Sequence, residues 1–413
     1  MIKKIISVFI ALAVLLFSFG CEKKPTSERK IDPADFPLYV EDVSAVEYSA
    51  EVFNEKRTQP YWYGNVMYNE IALPILYESG SAYAKLLYTP ERIVSVMDQK
   101  LKVTYIEGTD YVVDKKNKRL VIPDGSRIGL LGDKVEMGIN VPSGYDYDIW
   151  DLDLGRFVGT ESGLFYDRYL SVTYAYDIAE IPSKNVFNKY DEDMLATFRE
   201  KAESGQNVTV AVIGDSISAG ASSTSVLKVE PYGPSYAEQL KSEIERVYGV
   251  NVSLVNVAVG GTLSDWITSP AGAANLLRAK DATPDLCIIA YGMNDASGGV
   301  MAEAFGENIE RAVNEIVGAS PDCDFVLVNS FPCNPRYNIN SWAFDGYPDA
   351  LREVADKYTL GKVKVIDMHK VGDYMLGYKR YCEISSSNVN HPNDFFHRVY
   401  AMNIMSAIYD YKE

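Results

Sequence analysis

The chain has 413 residues, which is enough for two or three domains and a sizeable hydrophobic core. Its 57 acidic side chains outnumber its 40 basic ones, and the formal net charge of −17 excludes nucleic acid as an expected partner, because a phosphate backbone would be repelled. A content of 47% hydrophobic and 23% charged residues is typical of a globular protein. Only three histidines occur, and neither HExxH nor paired CxxC is present, so the sequence predicts no metal site and no cofactor.

The N-terminal segment has the pattern of an export signal. Lys3 and Lys4 precede an uncharged apolar run that is short for a membrane-spanning helix, which needs roughly 20 apolar residues. Cys21 follows this run and resembles the lipid-modified first residue of a bacterial lipoprotein, although Ser18 stands where such sites usually have leucine. We expect residues 1–20 to be a signal peptide and the mature chain to be held on the membrane of the bacterial cell envelope by a lipid anchor. Plain secretion and an uncleaved anchor stay open as alternatives.

The next two segments are predicted to be a tether and a β-rich domain. Residues 21–35 are polar and interrupted by proline, which is typical of a linker. Within residues 36–190, residues 170–176 alternate in the period of two that indicates a strand with two unlike faces. Residues 102–107 and 111–113 flank a Gly-containing turn, and residues 120–122 follow the polar turn 115–119, so these three runs together predict hairpins. We expect a sandwich-like or jelly-roll-like domain of antiparallel strands.

This region is also rich in aromatic residues. They would either stack on sugars or fill the core of the domain, and β-propensity alone favours the second interpretation. The residues concerned are Tyr61, Trp62, Tyr63, Tyr145, Tyr147 and Trp150.

The second half of the chain predicts an α/β domain. Residues 191–205 carry acidic residues first and good helix formers after them, and they predict a linker helix between the domains. From residue 206 to 413, strand-like and helix-like segments alternate five times, which indicates a parallel sheet covered by helices on both faces. The predicted strands are 208–213, 252–257, 286–291, 325–329 and 363–366, and the helices are 235–248, 271–279, 301–317, 349–358 and 394–409.

Polar and glycine-containing segments follow three of these strands and precede the last helix. They are Gly214-Asp215-Ser216, residues 256–262, residues 291–295 and residues 390–394. Ligands bind outside the carboxyl ends of parallel strands, so we expect a serine, glycines, an asparagine and a histidine to converge at one edge of the sheet.

These residue types suit acyl transfer. A serine hydroxyl is a weak nucleophile until a neighbouring imidazole takes its proton, which gives the roles of nucleophile and base to Ser216 and His391. The tetrahedral intermediate needs hydrogen-bond donors, which the N–H groups of Ser216 and Gly261 and the amide of Asn294 can supply. Each residue alone also has a structural interpretation, as a helix cap or a turn residue. Their joint occurrence in this order favours catalysis, with Asp215 as an acceptor for loop N–H groups.

These motifs resemble the four sequence blocks of the SGNH, or GDSL-type, esterase and lipase superfamily. The blocks are Gly214-Asp215-Ser216, Gly261, Gly292-x-Asn294-Asp295 and His391-Pro392, and the resemblance spans about residues 206–412. It implies a three-layer α/β/α domain with a parallel sheet. It also implies that Ser216 is the nucleophile, that His391 is the base, and that Ser216, Gly261 and Asn294 form the oxyanion hole.

The group that orients the base departs from the family pattern. The family has an aspartate three residues before the histidine, where this chain has Asn388. Asp394 stands three residues before His397, but that histidine lacks the following proline and falls in the predicted last helix. We therefore keep His391 as the base and expect Asn388 as its partner, with a backbone carbonyl and Asp394 as open alternatives. An amide oxygen can accept the imidazole N–H but brings no charge.

The expected function is that of a serine esterase. A β-rich domain ahead of the SGNH-like domain resembles two-domain carbohydrate esterases, a fold-level analogy that predicts removal of acetyl groups from an acylated poly- or oligosaccharide. The first alternative is a lipase or thioesterase of the same fold that acts on longer acyl chains. The second is a glycan-binding lipoprotein whose esterase domain is inactive. The sequence shows no long apolar stretch near the site that would form an acyl tunnel.

Overall fold

The computed structural model describes residues 35–182, 185–337 and 340–412. The predicted signal peptide, Cys21 and all but the last residue of the predicted tether lie outside these residues. No helix within the described ranges is long and apolar enough to cross a membrane. The described chain forms a β-rich N-terminal domain followed by an α/β domain, in the predicted order.

Two larger sheets, a hairpin and one short helix build the N-terminal domain. The elements are α1 (Ala50–Lys56), β1 (Val66–Ala72), β2 (Ile75–Leu76), β3 (Ala82–Lys85), β4 (Pro90–Asp98), β5 (Val112–Asp114), β6 (Arg119–Val121), β7 (Leu131–Gly132), β8 (Asp148–Leu152), β9 (Gly155–Gly159) and β10 (Leu170–Tyr176). One sheet has the order β1-β10-β4 and is antiparallel. A second has the order β5-β6-β3-β2-β7, and β8 pairs with β9 alone as a hairpin that projects toward the α/β domain.

Strand β10 confirms the predicted strand but not its two unlike faces. Every residue of β10 is buried, because the strand lies between β1 and β4 and is covered on both faces. The predicted strand at 102–107 is wrong. The Asp98 carboxylate accepts the N–H groups of Lys102 and Val103 and holds this segment in a loop. The predicted hairpin around residues 115–119 is confirmed, because β5 pairs antiparallel with β6.

The aromatic residues divide between core and surface. Tyr61 and Trp62 are buried, and the ring of Trp62 stacks on Phe187 at a centroid distance of 4.4 Å. Tyr147 and Trp150 are exposed on and beside the β8–β9 hairpin. The core interpretation therefore holds for the first pair and not for the second.

The α/β domain is built on a parallel five-stranded sheet. Its elements are α2 (Ala196–Glu203), β11 (Val208–Gly214), α3 (Thr224–Leu227), α4 (Tyr236–Tyr248), β12 (Val252–Asn256), α5 (Ala273–Asp281), β13 (Leu286–Tyr291), α6 (Met293–Ser297), α7 (Ala302–Val317), β14 (Asp324–Asn329), α8 (Tyr347–Ala355), β15 (Val363–Asp367), α9 (Met368–Leu376) and α10 (Asp394–Ile408). All five predicted strands are present, in the sheet order β12-β11-β13-β14-β15.

This strand order determines where a site can form. The chain leaves β11 to one side for β12 and then returns to the other side for β13. The loops after β11 and β13 therefore diverge and leave a crevice at the carboxyl edge of the sheet. Helix α2, predicted as a linker, packs on this domain, because Phe198 is buried and its N–H donates to the Asp324 carboxylate at 2.8 Å.

Buried charges join the two domains. The Lys379 ammonium is fully buried, pairs with the Glu70 carboxylate and donates to the carbonyl of Ile71 at 2.7 Å. The Arg398 guanidinium on α10 donates to the carbonyls of Tyr68 and Asn69 at 2.8 and 3.1 Å. Because a buried charge that loses its partner is costly, these contacts hold the domains in one arrangement.

Candidate active site

Ser216 lies two residues after the end of β11, at the carboxyl edge of the sheet. The preceding Gly214 is required there, since a Cβ on it would lie 2.3 Å from Ser218 Oγ and 2.5 Å from the carbonyl oxygen of Ala290. The Asp215 carboxylate is buried and accepts the N–H of Ile217 at 2.9 Å, which fixes the turn. Burial raises the pKa of Asp215 to about 7, and the nearby Asp295 carboxyl adds to this effect. Asp215 is thus the loop acceptor that the sequence predicts.

The structure brings His391 to Ser216, as predicted. Nε2 of His391 lies 3.0 Å from Ser216 Oγ, within hydrogen-bond distance for a base that takes the hydroxyl proton. The backbone N–H of His391 donates to Ser387 Oγ at 3.2 Å, which helps to hold the loop. The His391 side chain is 22% exposed, so substrate and water can reach the pair.

The group on the other side of the imidazole is Glu161, which the sequence analysis missed. Its Oε1 lies 2.8 Å from Nδ1 of His391, and its Oε2 accepts a hydrogen bond from Ser222 Oγ at 2.6 Å. Glu161 follows β9 in the N-terminal domain, 230 residues before His391. No motif marks it, and it lies outside the segment that resembles the SGNH family.

Asn388, the predicted partner of the base, lies elsewhere, and this expectation is corrected. Its Nδ2 donates to the carbonyl of Val158 at 2.8 Å, and its Oδ1 accepts from Asn334 Nδ2 at 3.3 Å. The open alternative Asp394 is also directed away from the imidazole. Its oxygens accept the N–H and the hydroxyl of Thr224 at 2.8 and 2.6 Å, and burial raises its pKa to about 6.

His397 has a structural place. It is fully buried on α10, where its Nε2 donates to the carbonyl of Ala221 at 3.0 Å and its Nδ1 accepts the N–H of Tyr236 at 3.4 Å. Burial lowers the pKa of His397 to about 4, so the ring is neutral at neutral pH. It supports the loop that follows Ser216 and does not contact the nucleophile.

The loop that carries Gly261 packs against Ser216. A Cβ on Gly260, the residue before Gly261, would lie 3.5 Å from the Ser216 Cβ. Asn294 begins α6 with Met293 and uses its Nδ2 to donate to the carbonyl of Thr262 at 2.9 Å, which leaves its second N–H for a ligand. Within the described residues, no acceptor takes the N–H of Ser216 or Gly261.

A buried carboxylate fixes the loop that carries these donors. Asp295 Oδ1 accepts both the N–H and the hydroxyl of Ser264, at 3.0 and 2.5 Å. Asn308 on α7 donates to the same hydroxyl at 2.8 Å. Burial raises the pKa of Asp295. The loop with Gly261 and the helix with Asn294 are therefore tied to each other, which preorganises the donors.

The assembled groups can perform acyl transfer. A nucleophilic hydroxyl, an imidazole base within reach and a carboxylate on the far side of the imidazole form the sequence of contacts that activates a serine. The N–H groups of Ser216 and Gly261 and the second amide N–H of Asn294 are donors of the kind that an oxyanion needs. In the described part of the chain, no cluster of three His, Cys, Asp or Glu side chains could hold a metal ion.

Comparison with known proteins finds a family match in the C-terminal half of the chain. Residues 212–399 match the profile of the GDSL-like lipase/acylhydrolase family. No curated protein matches the chain. Among solved structures, a two-domain esterase (CEX) active on acetylated mannans is similar at 23% identity and a TM-score of 0.42, over 53% of this chain and 54% of that one. The lipase/acylhydrolase from Enterococcus faecalis is similar at 21% identity and a TM-score of 0.37, over 48% of this chain and 93% of that one. The present chain thus aligns with about half the length of the two-domain esterase.

Proposed function

We propose that the chain is a serine esterase with Ser216 as nucleophile and His391 as base, because residues 212–399 match the profile of the GDSL-like lipase/acylhydrolase family. The observation that carries the proposal is the 3.0 Å contact between Ser216 Oγ and His391 Nε2 at the carboxyl edge of the parallel sheet. The family acts on ester bonds, and both reacting side chains are in place for that chemistry.

The reaction has two halves. In the first, Ser216 Oγ attacks the ester carbonyl carbon while its proton passes to Nε2 of His391. The C–O bond to the alcohol then breaks, and the same proton passes to the leaving oxygen, which gives the free alcohol and an acyl-serine. In the second half, His391 takes a proton from water as the water oxygen attacks the acyl carbon. The proton returns to Ser216 Oγ as the carboxylic acid leaves.

Negative charge develops on the former carbonyl oxygen in both halves. The N–H groups of Ser216 and Gly261 and the amide of Asn294 are the donors for this oxygen. Their loops are held by Asp295 and Ser264, so the donors need little reorganisation during the reaction. Donors of this kind stabilise the transition state more than the substrate, which is the condition for raising the rate.

We further propose that the substrate is a short acyl ester on a carbohydrate. Trp150 is 37% exposed and packs beside the site, since a Cβ on Gly159 would contact both its indole and the side chain of Val389, two residues from His391. Tyr337 meets the Trp150 ring at a centroid distance of 5.5 Å. An exposed aromatic ring such as Trp150, beside the segment that leads to His391, is suited to stacking on a sugar, whose faces are apolar.

The experiment measures ester hydrolysis by wild type and by Ser216→Ala. The substrates are the phenyl esters of acetic, butyric and octanoic acid and an acetylated oligosaccharide. We expect wild type to prefer acetyl over octanoyl esters and to release acetate from the oligosaccharide. Ser216→Ala should lose about 10⁴-fold or more in kcat/KM. Ser253→Ala, an exposed serine on β12, is the matched control and should retain activity. Activity that survives in Ser216→Ala would refute the esterase mechanism. A preference for octanoyl esters would refute the carbohydrate substrate and indicate a lipase instead.

The cellular location is a separate proposal. The sequence pattern before Cys21 supports export and lipid modification of that cysteine, which would hold the esterase on the cell envelope where extracellular glycans are met.

A further inference from the structure

We propose that the N-terminal domain completes the active site: Glu161 is the positioning residue that orients His391, and Asn388 holds the hairpin that carries it. This inference rests on the proposed esterase function, because it assigns a role relative to His391 as base. It makes the α/β domain dependent on the β-rich domain for its chemistry.

The first support is the pairing of both Glu161 oxygens. Oε1 faces Nδ1 of His391 at 2.8 Å, while Oε2 accepts from Ser222 Oγ at 2.6 Å. Ser222 is buried, and its backbone adopts a φ of 61°, a conformation that is uncommon for a residue other than glycine. A carboxylate held at both oxygens keeps one orientation, so the proton of neutral His391 stays on Nδ1 and Nε2 stays free to accept the Ser216 proton.

The second support is the way the hairpin binds the loop of the base. The N–H of Thr160 donates to the carbonyl of Ser387 at 3.0 Å, and Asn388 Nδ2 donates to the carbonyl of Val158 at 2.8 Å. At Gly159, between these bonds, a Cβ would lie 2.9 Å from the Val389 side chain, so no larger residue fits. The strand that ends one residue before Thr160 is thus fixed directly on the segment that leads to His391.

The hydrogen bond of Asn388 explains why an amide and not a carboxylate occupies this position. Its Nδ2 donates to a carbonyl oxygen, which a carboxylate at the same place would repel. Its backbone φ of 56° is one that asparagine tolerates better than most residues. The side chain three residues before the base therefore binds the neighbouring domain, and that domain supplies the negative charge for the imidazole.

Other titratable groups also act on His391. Asp215, on the loop after β11, is buried and interacts with His391 through its charge, and His397 on α10 also interacts with His391 through its charge. His397 is neutral above its pKa of about 4. Glu161 is the group in direct contact with Nδ1, and its side chain is 51% exposed, so solvent screens part of its charge.

The first experiment is Glu161→Gln, with Glu107→Gln as the matched control because Glu107 is an exposed glutamate of the same domain. An amide brings no charge, and when its oxygen keeps the Ser222 bond its NH2 group faces Nδ1 and favours the tautomer that cannot accept the serine proton. We expect kcat/KM on an acetyl ester to fall by about 10²-fold, less than the ~10⁴-fold loss when the buried aspartate of a chymotrypsin-like triad becomes asparagine.

The pH profile separates orientation from a structural effect. A nearby carboxylate favours the imidazolium, so its loss should move the midpoint of the acidic limb of kcat/KM to lower pH. Glu107→Gln should leave both rate and limb unchanged. A Glu161→Gln variant within threefold of wild type, or one that loses activity with an unmoved limb, would overturn the role of Glu161.

A double-mutant cycle tests Asn388. Asn388→Ala should lower kcat/KM in the wild-type background and cost little more in Glu161→Gln, because both changes remove the same oriented carboxylate. Thermal melting of each variant checks that the fold is retained. Equal losses from Asn388→Ala in both backgrounds would show that Asn388 does not act through Glu161. Ser216→Ala distinguishes the failures: if it is inactive while Glu161→Gln is normal, the esterase stands and the positioning role falls.

Discussion

Buried His397 makes the stability of the fold depend on pH in a defined direction. Its pKa falls from the ordinary value of 6.5 to about 4 in the folded chain, because burial disfavours the imidazolium. Between these two values the unfolded chain binds a proton at this residue and the native chain does not. The free energy of unfolding contributed by His397 is therefore fully present above pH 6.5 and is lost as the pH falls toward 4.

The size of the effect follows from the shift. Each pH unit inside the window lowers the free energy of unfolding by about 1.36 kcal/mol. Lowering the pH from 7 to 4.5 should therefore reduce the free energy of unfolding by about 2.5 kcal/mol through His397 alone. Asp215 and Asp394 also titrate near this range, since burial raises their pKa values to about 7 and about 6. A comparison with a variant that leaves both carboxyls in place cancels their contribution.

The variant is His397→Gln. Its amide NH2 can still donate to the Ala221 carbonyl, which the Nε2 of His397 now contacts at 3.0 Å, but glutamine cannot be protonated in this range. Urea denaturation at pH 7.0, 6.0, 5.0 and 4.5 gives the free energy of unfolding of both proteins. We expect the variant to be less stable at pH 7 and to lose about 2.5 kcal/mol less than wild type between pH 7 and 4.5. Parallel pH dependences of the two proteins would refute the assignment of His397 as a buried neutral histidine.

Two further predictions follow from the site and the N-terminus. Asn294→Ala should lower kcat by about 10²- to 10³-fold on an acetyl ester with a smaller change in KM, because it removes one donor to the oxyanion; a loss below tenfold would remove Asn294 from the hole. Cys21→Ser should move the protein from the membrane fraction to the soluble fraction or block its processing, as measured by fractionation and mass of the N-terminus. Unchanged membrane retention with normal cleavage would exclude a lipid on Cys21.

Local patterns account for the parts that were predicted well. The alternation of strands and helices after residue 206 follows from hydrophobic periodicity, and all five strands of the parallel sheet are found close to the predicted bounds. Ser216 and His391 were expected to lie together because polar segments at the carboxyl ends of parallel strands meet at one edge of the sheet, and the structure places their side chains 3.0 Å apart. The loop role of Asp215 was also predictable, since it concerns a contact two residues away.

Predictions from local sequence patterns were wrong where strand pairing or burial depends on residues outside the predicted segment. Residues 102–107 have a strand-like composition, but Asp98 takes their first N–H groups and a loop results. Strand β10 looks amphipathic because serine and threonine alternate with apolar residues, yet the hydroxyl of Thr173 is satisfied inside the core by Asn69. The exposure of the two faces of β10 depends on which elements cover the sheet, and the residues of the strand alone do not indicate this.

The sequence by itself determined the parallel sheet and the expectation that Ser216 and His391 lie together, because both depend on neighbouring residues or on the common direction of the strands. The tertiary structure alone decided which group meets the other side of His391. Glu161 belongs to another domain and lies 230 residues away along the chain. Its contact with the imidazole exists because Thr160 and Asn388 fix the β8–β9 hairpin on the loop of the base. Such a contact leaves no periodic or spaced signal in the sequence, because it depends on how the two domains pack and not on the residues next to Glu161.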